Sequence, residues 1–282
     1  GEDLDDPAQL AAAIRAASGP AVMGWDDSAG QVEAIASLYQ QAKRRGGVAY
    51  FERVWLNRRT QAARQAFDAA LWAGLARERP RMDRRSPVVL GFDGSRWRDV
   101  TSLVLTHVPT GWQQVLGAWQ RGGADPEDWE VPRDEVEALV DDVFATRVVL
   151  RLYGDPAEGW ADMLAALASR HGPKRVFEFY TDSRNLRKTA YAVRKFYEAI
   201  RAGEVGHDGD AEYAAHIGHA RRRDTHMRDD DGHPLWVLEK ERHDSPFKID
   251  HAMAGVLSWQ ARLDVITAGQ DRGPERAYAY SA

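Results

Sequence analysis

Residues 88–92, Val-Val-Leu-Gly-Phe, form an uninterrupted apolar run, which is typical of a strand buried on both faces of a sheet. Two further strands are predicted over residues 101–108 and 111–119, and their short connections favour an antiparallel meander. Residues 148–153 and 175–179 give two more strand patterns, and helical patterns separate them. Strands that alternate with helices in this way usually join a sheet in parallel.

Helical periodicity completes the order of elements. It predicts helices over residues 132–145, 157–170 and 185–202, then a hairpin over residues 225–239, and a closing helix that begins at Pro246 and ends before Gly269. This order of strands and helices is the one found in the ribonuclease H-like fold. We therefore expect an α/β domain with a ribonuclease H-like mixed sheet flanked by helices.

The first 84 residues have a different pattern. Apolar side chains recur at a spacing near 3.6 over residues 31–45 and 64–76, which predicts helices. Residues 77–85 are charged and contain Pro80, which is typical of a linker. We expect an N-terminal helical segment over residues 1–84 and the α/β domain over residues 85–282.

Composition excludes several classes of function. The 282 residues contain no cysteine, which excludes disulfide scaffolds, thiolate zinc sites and thiol catalysis. No run of 18 apolar residues is present, so no membrane-spanning helix is predicted. The net charge of −5 argues against a protein that holds nucleic acid over a wholly basic surface, while local basic patches and acidic metal sites remain open.

Three aspartates occupy positions where a carboxylate is unfavourable. Asp93 ends the first buried strand and Asp155 follows the fourth, so adjacent strands would bring the two acids to one sheet edge. Asp250 lies on the apolar stripe of the predicted closing helix, together with Phe247 and Leu257. Each aspartate also has a structural interpretation: an Asp-Gly turn at 93, a helix cap at 155 and an arginine partner at 250. The three together favour a magnesium or manganese site, because such ions prefer oxygen ligands.

Around these residues the sequence resembles the C-terminal nuclease domain of the bacteriophage terminase large subunit family. The matching segments are Val89-Leu-Gly-Phe-Asp93-Gly-Ser, Leu152-Tyr-Gly-Asp155-Pro and Phe247-Lys-Ile-Asp250-His, and the resemblance covers about residues 86–268. Residues 1–84 resemble the end of the family's packaging motor and its linker. A phosphate loop is absent, because Trp160 follows Gly159 where the motif needs lysine, so we do not expect ATP hydrolysis.

The resemblance implies a divalent-metal-dependent endonuclease that cuts double-stranded DNA during phage genome packaging in the host cytoplasm. Asp93, Asp155 and Asp250 would be both the catalytic residues and the ligands of Mg²⁺ or Mn²⁺, with two ions expected. The partners implied are double-stranded DNA, a portal and a small terminase subunit, with no membrane.

Basic residues near these acids are candidates for binding the DNA. Lys240 and Lys248 are predicted to hold the scissile phosphate, with solvated surface lysines as the alternative. The helix over residues 185–202 and the turn before it carry basic side chains that face few acids, chiefly Glu198, and could bind the DNA backbone: Arg184, Arg187, Lys188 and Arg194.

Three other interpretations stay open at the level of sequence. His216 and His219 lie one helical turn apart, which is compatible with a histidine zinc site. Another ribonuclease H-like nuclease or a transposase would present the same order of acids. A non-catalytic docking module would use the acids and basic patches to bind other packaging proteins.

Overall fold

The computed structural model describes residues 4–18, 30–44, 51, 54–56, 65–96, 99–126, 128–241, 245 and 247–271. They belong to two compact units, residues 1–65 and 66–282. In the first unit, helices α1 (Pro7–Ser18) and α2 (Gln31–Arg44) bury a small apolar cluster that includes Ile14 and Ile35. The helix predicted over residues 31–45 is therefore confirmed, while the division of the chain at residues 84 and 85 stays a prediction.

The second unit is built on a six-stranded sheet in the order β5-β4-β1-β2-β3-β6. Its strands are β1 (Pro87–Asp93), β2 (Thr101–His107), β3 (Trp112–Trp119), β4 (Val148–Gly154), β5 (Val176–Glu178) and β6 (Gly206–His207). Strands β1, β2 and β3 form the predicted antiparallel meander, and β4 and β5 add parallel strands beside β1. The predicted α/β fold class, a ribonuclease H-like mixed sheet flanked by helices, is confirmed.

Helices cover both faces of this sheet. They are α3 (Ala69–Gly74), α4 (Arg133–Thr146), α5 (Ala161–His171), α6 (Leu186–Ala202), α7 (Ala211–His219) and α8 (Asp250–Thr267). Alternate residues of β1 point to different cores: Val88 and Leu90 pack in the cluster with α4 and α5, and Val89 packs in the cluster with α6 and α8. A separate antiparallel hairpin, β7 (Arg221–Arg228) and β8 (Pro234–Glu239), packs against α6. Among the described residues, no helix is both long and apolar enough to cross a membrane.

Gly91 brings β1 and α8 into direct backbone contact. A Cβ atom at Gly91 would lie 2.1 Å from the carbonyl oxygen of Ala254 and 2.4 Å from the amide nitrogen of Ser258. These distances leave no room for a side chain, so only glycine allows the helix to lie this close to the strand. One turn before Ala254, the helix begins at Asp250, at the same end of the sheet as Asp93.

Two predicted helix boundaries are wrong. The closing helix was expected from Pro246, which lies outside the described residues, but it begins at Asp250, and Phe247 is 46% exposed rather than part of an apolar stripe. The helix expected over residues 64–76 covers only Ala69–Gly74, because the Asp68 carboxylate accepts the amides of residues 70 and 71 and begins the helix there.

Candidate metal centre

Asp93 and Asp155 lie at neighbouring strand ends. In the parallel pair of β1 and β4, Phe92 lies opposite Gly154, and the amide of Asp155 donates to the carbonyl of Phe92 at 3.1 Å. In the sequence, Phe92 and Gly154 are each followed by an aspartate, Asp93 and Asp155. The predicted adjacency of the first and fourth strands is therefore confirmed, and it places both carboxylates at the carboxyl edge of the sheet.

Asp155 is 6% exposed and is held from two sides. Its Oδ1 accepts a hydrogen bond from the amide of Ala157 at 3.1 Å, and its Oδ2 accepts one from the hydroxyl of Thr181. The hydrogen bond from the amide of Ala157 is the kind of contact that the helix-cap interpretation of Asp155 predicts. Thr181 was not among the predicted site residues, although it follows β5, whose carboxyl end meets the same sheet edge.

Asp250 is the first residue of α8 and is 7% exposed. No described residue donates a hydrogen bond to its Oδ2. Burial raises the pKa of Asp250 to about 6, although the charge of Lys240 opposes this shift. A buried carboxylate oxygen without a donor costs free energy, and a bound cation would remove that cost.

Asp93 interacts electrostatically with both other acids. Burial and then the charges of Asp250 and Asp155 raise its pKa well above the usual range. The three aspartates are therefore close enough for each charge to matter to Asp93. Their ligand atoms are not among the two described groups whose atoms all lie within 4.8 Å of one another.

The donor set fits a hard divalent cation. Each of the three acids offers oxygen only, Asp250 retains a buried oxygen without a donor in the part of the chain that the structure describes, and burial disfavours an uncompensated charge on Asp93 and Asp250. Their assignment as metal ligands and catalytic residues stays a prediction.

Asp99 binds both lysines that were predicted to hold a phosphate. Its carboxylate forms ion pairs with Lys240 and with Lys248, the latter at 2.7 Å. Burial of Asp99 would raise its pKa, but hydrogen bonds from the two lysines outweigh burial and hold the pKa below its usual value. The positive charges of these lysines also oppose the rise in the pKa of Asp250, which places them beside the acids.

The histidines on α7 contact the start of α8. Nδ1 of His216 accepts the amide of His251 at 3.0 Å, and Nδ1 of His219 lies 3.2 Å from the carbonyl of Lys248, to which it must donate. Burial lowers the pKa of His216 to about 3 and that of His251 to about 4, so both rings are neutral at pH 7.

These contacts argue against the zinc interpretation. The described group that contains His216 is formed with Glu212 and His251, and His219 does not belong to it. Because Nδ1 of His216 accepts a hydrogen bond, the neutral ring carries its proton on Nε2 and has no second free lone pair for a metal.

The basic side chains around α6 differ in the groups that they contact. Arg194 pairs with Glu198 and with the buried Asp229, and Arg187 lies 3.5 Å from Asp230. The expectation that this helix faces few acids is therefore wrong, because the turn between β7 and β8 supplies two. The other two predicted DNA-binding residues are Lys188, whose Nζ lies 3.9 Å from the Phe179 ring centroid, and Arg184, whose side chain is 86% exposed and pairs with Asp182.

Comparison with curated proteins finds relatives from mycobacteriophages. The Gene 13 protein of Mycobacterium phage L5 is 31% identical over 206 residues, and that of Mycobacterium phage D29 is 30% identical over 201 residues. The matches cover 70% and 68% of this chain but 32% of each relative, so the chain spans about a third of their length. No model of a protein family matches the chain.

Comparison with solved structures identifies the fold. The HK97 bacteriophage large terminase superposes with a TM-score of 0.51 at 16% identity, over 80% of this chain and 50% of that protein. The fold is that of a phage large terminase. The large terminase nuclease of the thermophilic phage G20c gives a TM-score of 0.47 at 15% identity, over 70% of this chain and 98% of that one. The large terminase fold agrees with the resemblance found in the sequence.

Proposed function

We propose that this chain is the nuclease domain of a phage terminase large subunit and cuts double-stranded DNA with the help of divalent metal ions. The observation that carries the proposal is the meeting of Asp93, Asp155 and Asp250 at one sheet edge, where Asp250 keeps a buried oxygen to which none of the described residues donates. The large terminase fold and the phage origin of the relatives support the same conclusion.

The three aspartates would hold one or two Mg²⁺ or Mn²⁺ ions. Bound ions of this kind activate a water and stabilise the leaving oxygen of a phosphodiester. Asp250 has to lose its proton before it can act as a ligand, and its raised pKa of about 6 allows this at neutral pH. Thr181 would keep Asp155 oriented through the hydrogen bond to its Oδ2.

Lys240 and Lys248 would bind the scissile phosphate. In the structure both neutralise Asp99, and a phosphodiester offers them the same kind of anionic oxygen. Arg184, Arg187 and Lys188 would contact the DNA backbone farther from the cut. A portal and a small terminase subunit, acting in the host cytoplasm, would be the partners of the whole packaging protein.

Nicking of supercoiled plasmid tests the proposal. We expect the chain to nick DNA with Mn²⁺ and to stop when EDTA removes the ion, and Asp93→Asn to lose at least about 100-fold in rate. Asp142→Asn is the matched control, because Asp142 is exposed on α4. Wild-type nicking by a folded Asp93→Asn variant would overturn the proposal, and so would nicking that EDTA leaves unchanged. The docking-module alternative predicts no metal-dependent nicking at all.

A further inference from the structure

The segment that carries Lys248 and Asp250 enters α8 without a local cap. The residue before the helix is Ile249, whose apolar side chain makes no capping hydrogen bond. The first amides of any α-helix have no partner within the helix. The first amides of α8 therefore need partners outside the helix.

Helix α7 contacts this segment through two residues one turn apart, and one of them accepts a first amide of α8. His216, which is 4% exposed, accepts the amide of His251 at 3.0 Å, and its ring stacks on the His251 ring with 4.0 Å between centroids. His219 donates to the carbonyl of Lys248 at 3.2 Å. The two contacts fall on either side of Asp250, so α7 fixes the backbone of the segment before and after the acid.

The His251 ring connects the same segment to β2. Its Nδ1 lies 2.8 Å from Oγ of Ser102, and Ser102 is directly opposite Asp93 in the antiparallel pair of β1 and β2. A continuous set of contacts thus runs from His216 through the first turn of α8 to the residue that pairs with Asp93.

We propose that His216 and His219 are positioning residues for the metal centre, which hold Asp250 and Lys248 in register with Asp93. The inference rests on the proposed nuclease function. Neither histidine contacts the substrate in this scheme. Their effect is to fix the direction of a ligand and of a phosphate-binding lysine, and residues that orient metal ligands in this way influence metal affinity strongly.

Two substitutions at His216 separate the hydrogen bond from the bulk of the ring. His216→Asn keeps an acceptor near the position of Nδ1, whereas His216→Leu fills similar space without one. We expect His216→Leu to raise the Mn²⁺ concentration for half-maximal nicking by about 10- to 100-fold, and His216→Asn to restore most of the loss. The measurements are Mn²⁺ binding to the full chain without DNA, by isothermal titration calorimetry, and the nicking rate against Mn²⁺ concentration, both at a temperature where circular dichroism shows every variant folded.

His171→Leu is the matched control for a purely structural loss. His171 also stacks on an aromatic ring, with 4.0 Å between its centroid and that of Phe144, and pairs with Asp141 at 2.6 Å. It is the last residue of α5, at the end of the sheet where the parallel strands begin, and the acids lie at the end where these strands finish. Its replacement is expected to lower the melting temperature and leave the Mn²⁺ dependence unchanged.

The outcomes distinguish this inference from the proposed function. If Asp93→Asn is inactive while folded His216→Leu keeps the wild-type Mn²⁺ dependence, the positioning role is refuted and the nuclease assignment stands. If Asp93→Asn nicks DNA at the wild-type rate, the nuclease assignment itself is refuted. Should His216→Leu not fold, His219→Leu against His219→Asn, which keeps a donor, gives the same comparison on a less buried residue.

Discussion

Nζ of Lys248 lies 2.7 Å from Oδ1 of Asp99, and Lys240 pairs with the other oxygen of the same carboxylate. One acid therefore pairs with two cations beside three further acids, and this group of three side chains keeps one positive charge. The three aspartates therefore form a part of the sheet edge suited to a metal ion, and the two lysines form a part suited to a phosphate.

Replacing either lysine should weaken cleavage. We expect Lys240→Gln or Lys248→Gln to lower the nicking rate by about tenfold, because one cation fewer faces the phosphodiester. Lys174→Gln, at an exposed position before β5, is the control and should cut like wild type. Equal rates for all three variants would remove the two lysines from the proposed mechanism.

The metal-free protein should change in stability with pH through Asp250. Its folded pKa of about 6 exceeds the ordinary value of 3.8, so its contribution to stability is present below about pH 4 and is lost as pH rises through about 6. Asp250→Asn removes the free-energy cost of a buried, ionised carboxylate at this position. We expect its free energy of unfolding in EDTA to exceed that of wild type by about 1 to 3 kcal/mol at pH 7 and by little near pH 4.

Urea denaturation at the two pH values measures this difference. Asp142→Asn, on the exposed face of α4, is the matched control. A pH-independent effect of Asp250→Asn would mean that the carboxyl does not carry a raised pKa.

Thr181 should matter through Asp155. Thr181→Val removes the hydroxyl that donates to Oδ2 of Asp155, while Thr181→Ser keeps it. We expect the valine variant to need about tenfold more Mn²⁺ for half-maximal nicking and the serine variant to stay near wild type. Indistinguishable metal titrations of the two variants would contradict this role.

Two arginines predicted to bind DNA should behave differently. Arg194 pairs with Asp229, whose side chain is 5% exposed, so Arg194→Ala should lower the free energy of unfolding by about 2 kcal/mol. Arg184 has an 86% exposed side chain, so Arg184→Ala should keep stability and weaken DNA binding, with a shallower dependence of affinity on salt. Urea denaturation and fluorescence anisotropy with a short duplex in Ca²⁺ measure the two effects. A wild-type free energy of unfolding in Arg194→Ala would show that the ion pair with Asp229 contributes nothing.

Periodicity in the sequence predicted the parts of the fold that have long patterns. Strands β1, β2 and β4 were found because they are mostly apolar and largely buried, and helix α6 because it buries one regular stripe of apolar residues. Strand β6 was missed, since Gly206 and His207 are too short a segment to carry a period. The start of α8 was misplaced because a proline is a strong signal for the first turn of a helix, and the structure begins the helix later.

The acids of the candidate site were predictable and their partners were not. Asp93 and Asp155 end apolar strands, so their common edge follows from strand adjacency. The pairing of Asp99 with both lysines and of Arg194 with Asp229 joins residues far apart in the chain, and no local pattern encodes it. The same holds for the contact of His216 with the amide of His251.

Gly91 sets a limit on how this site can be redesigned. Because strand and helix touch backbone to backbone there, the spacing between them cannot be tuned by exchanging a larger for a smaller side chain. Any engineered change of ion preference at this edge therefore has to come from the length and chemistry of the ligands themselves, with the scaffold left as it is.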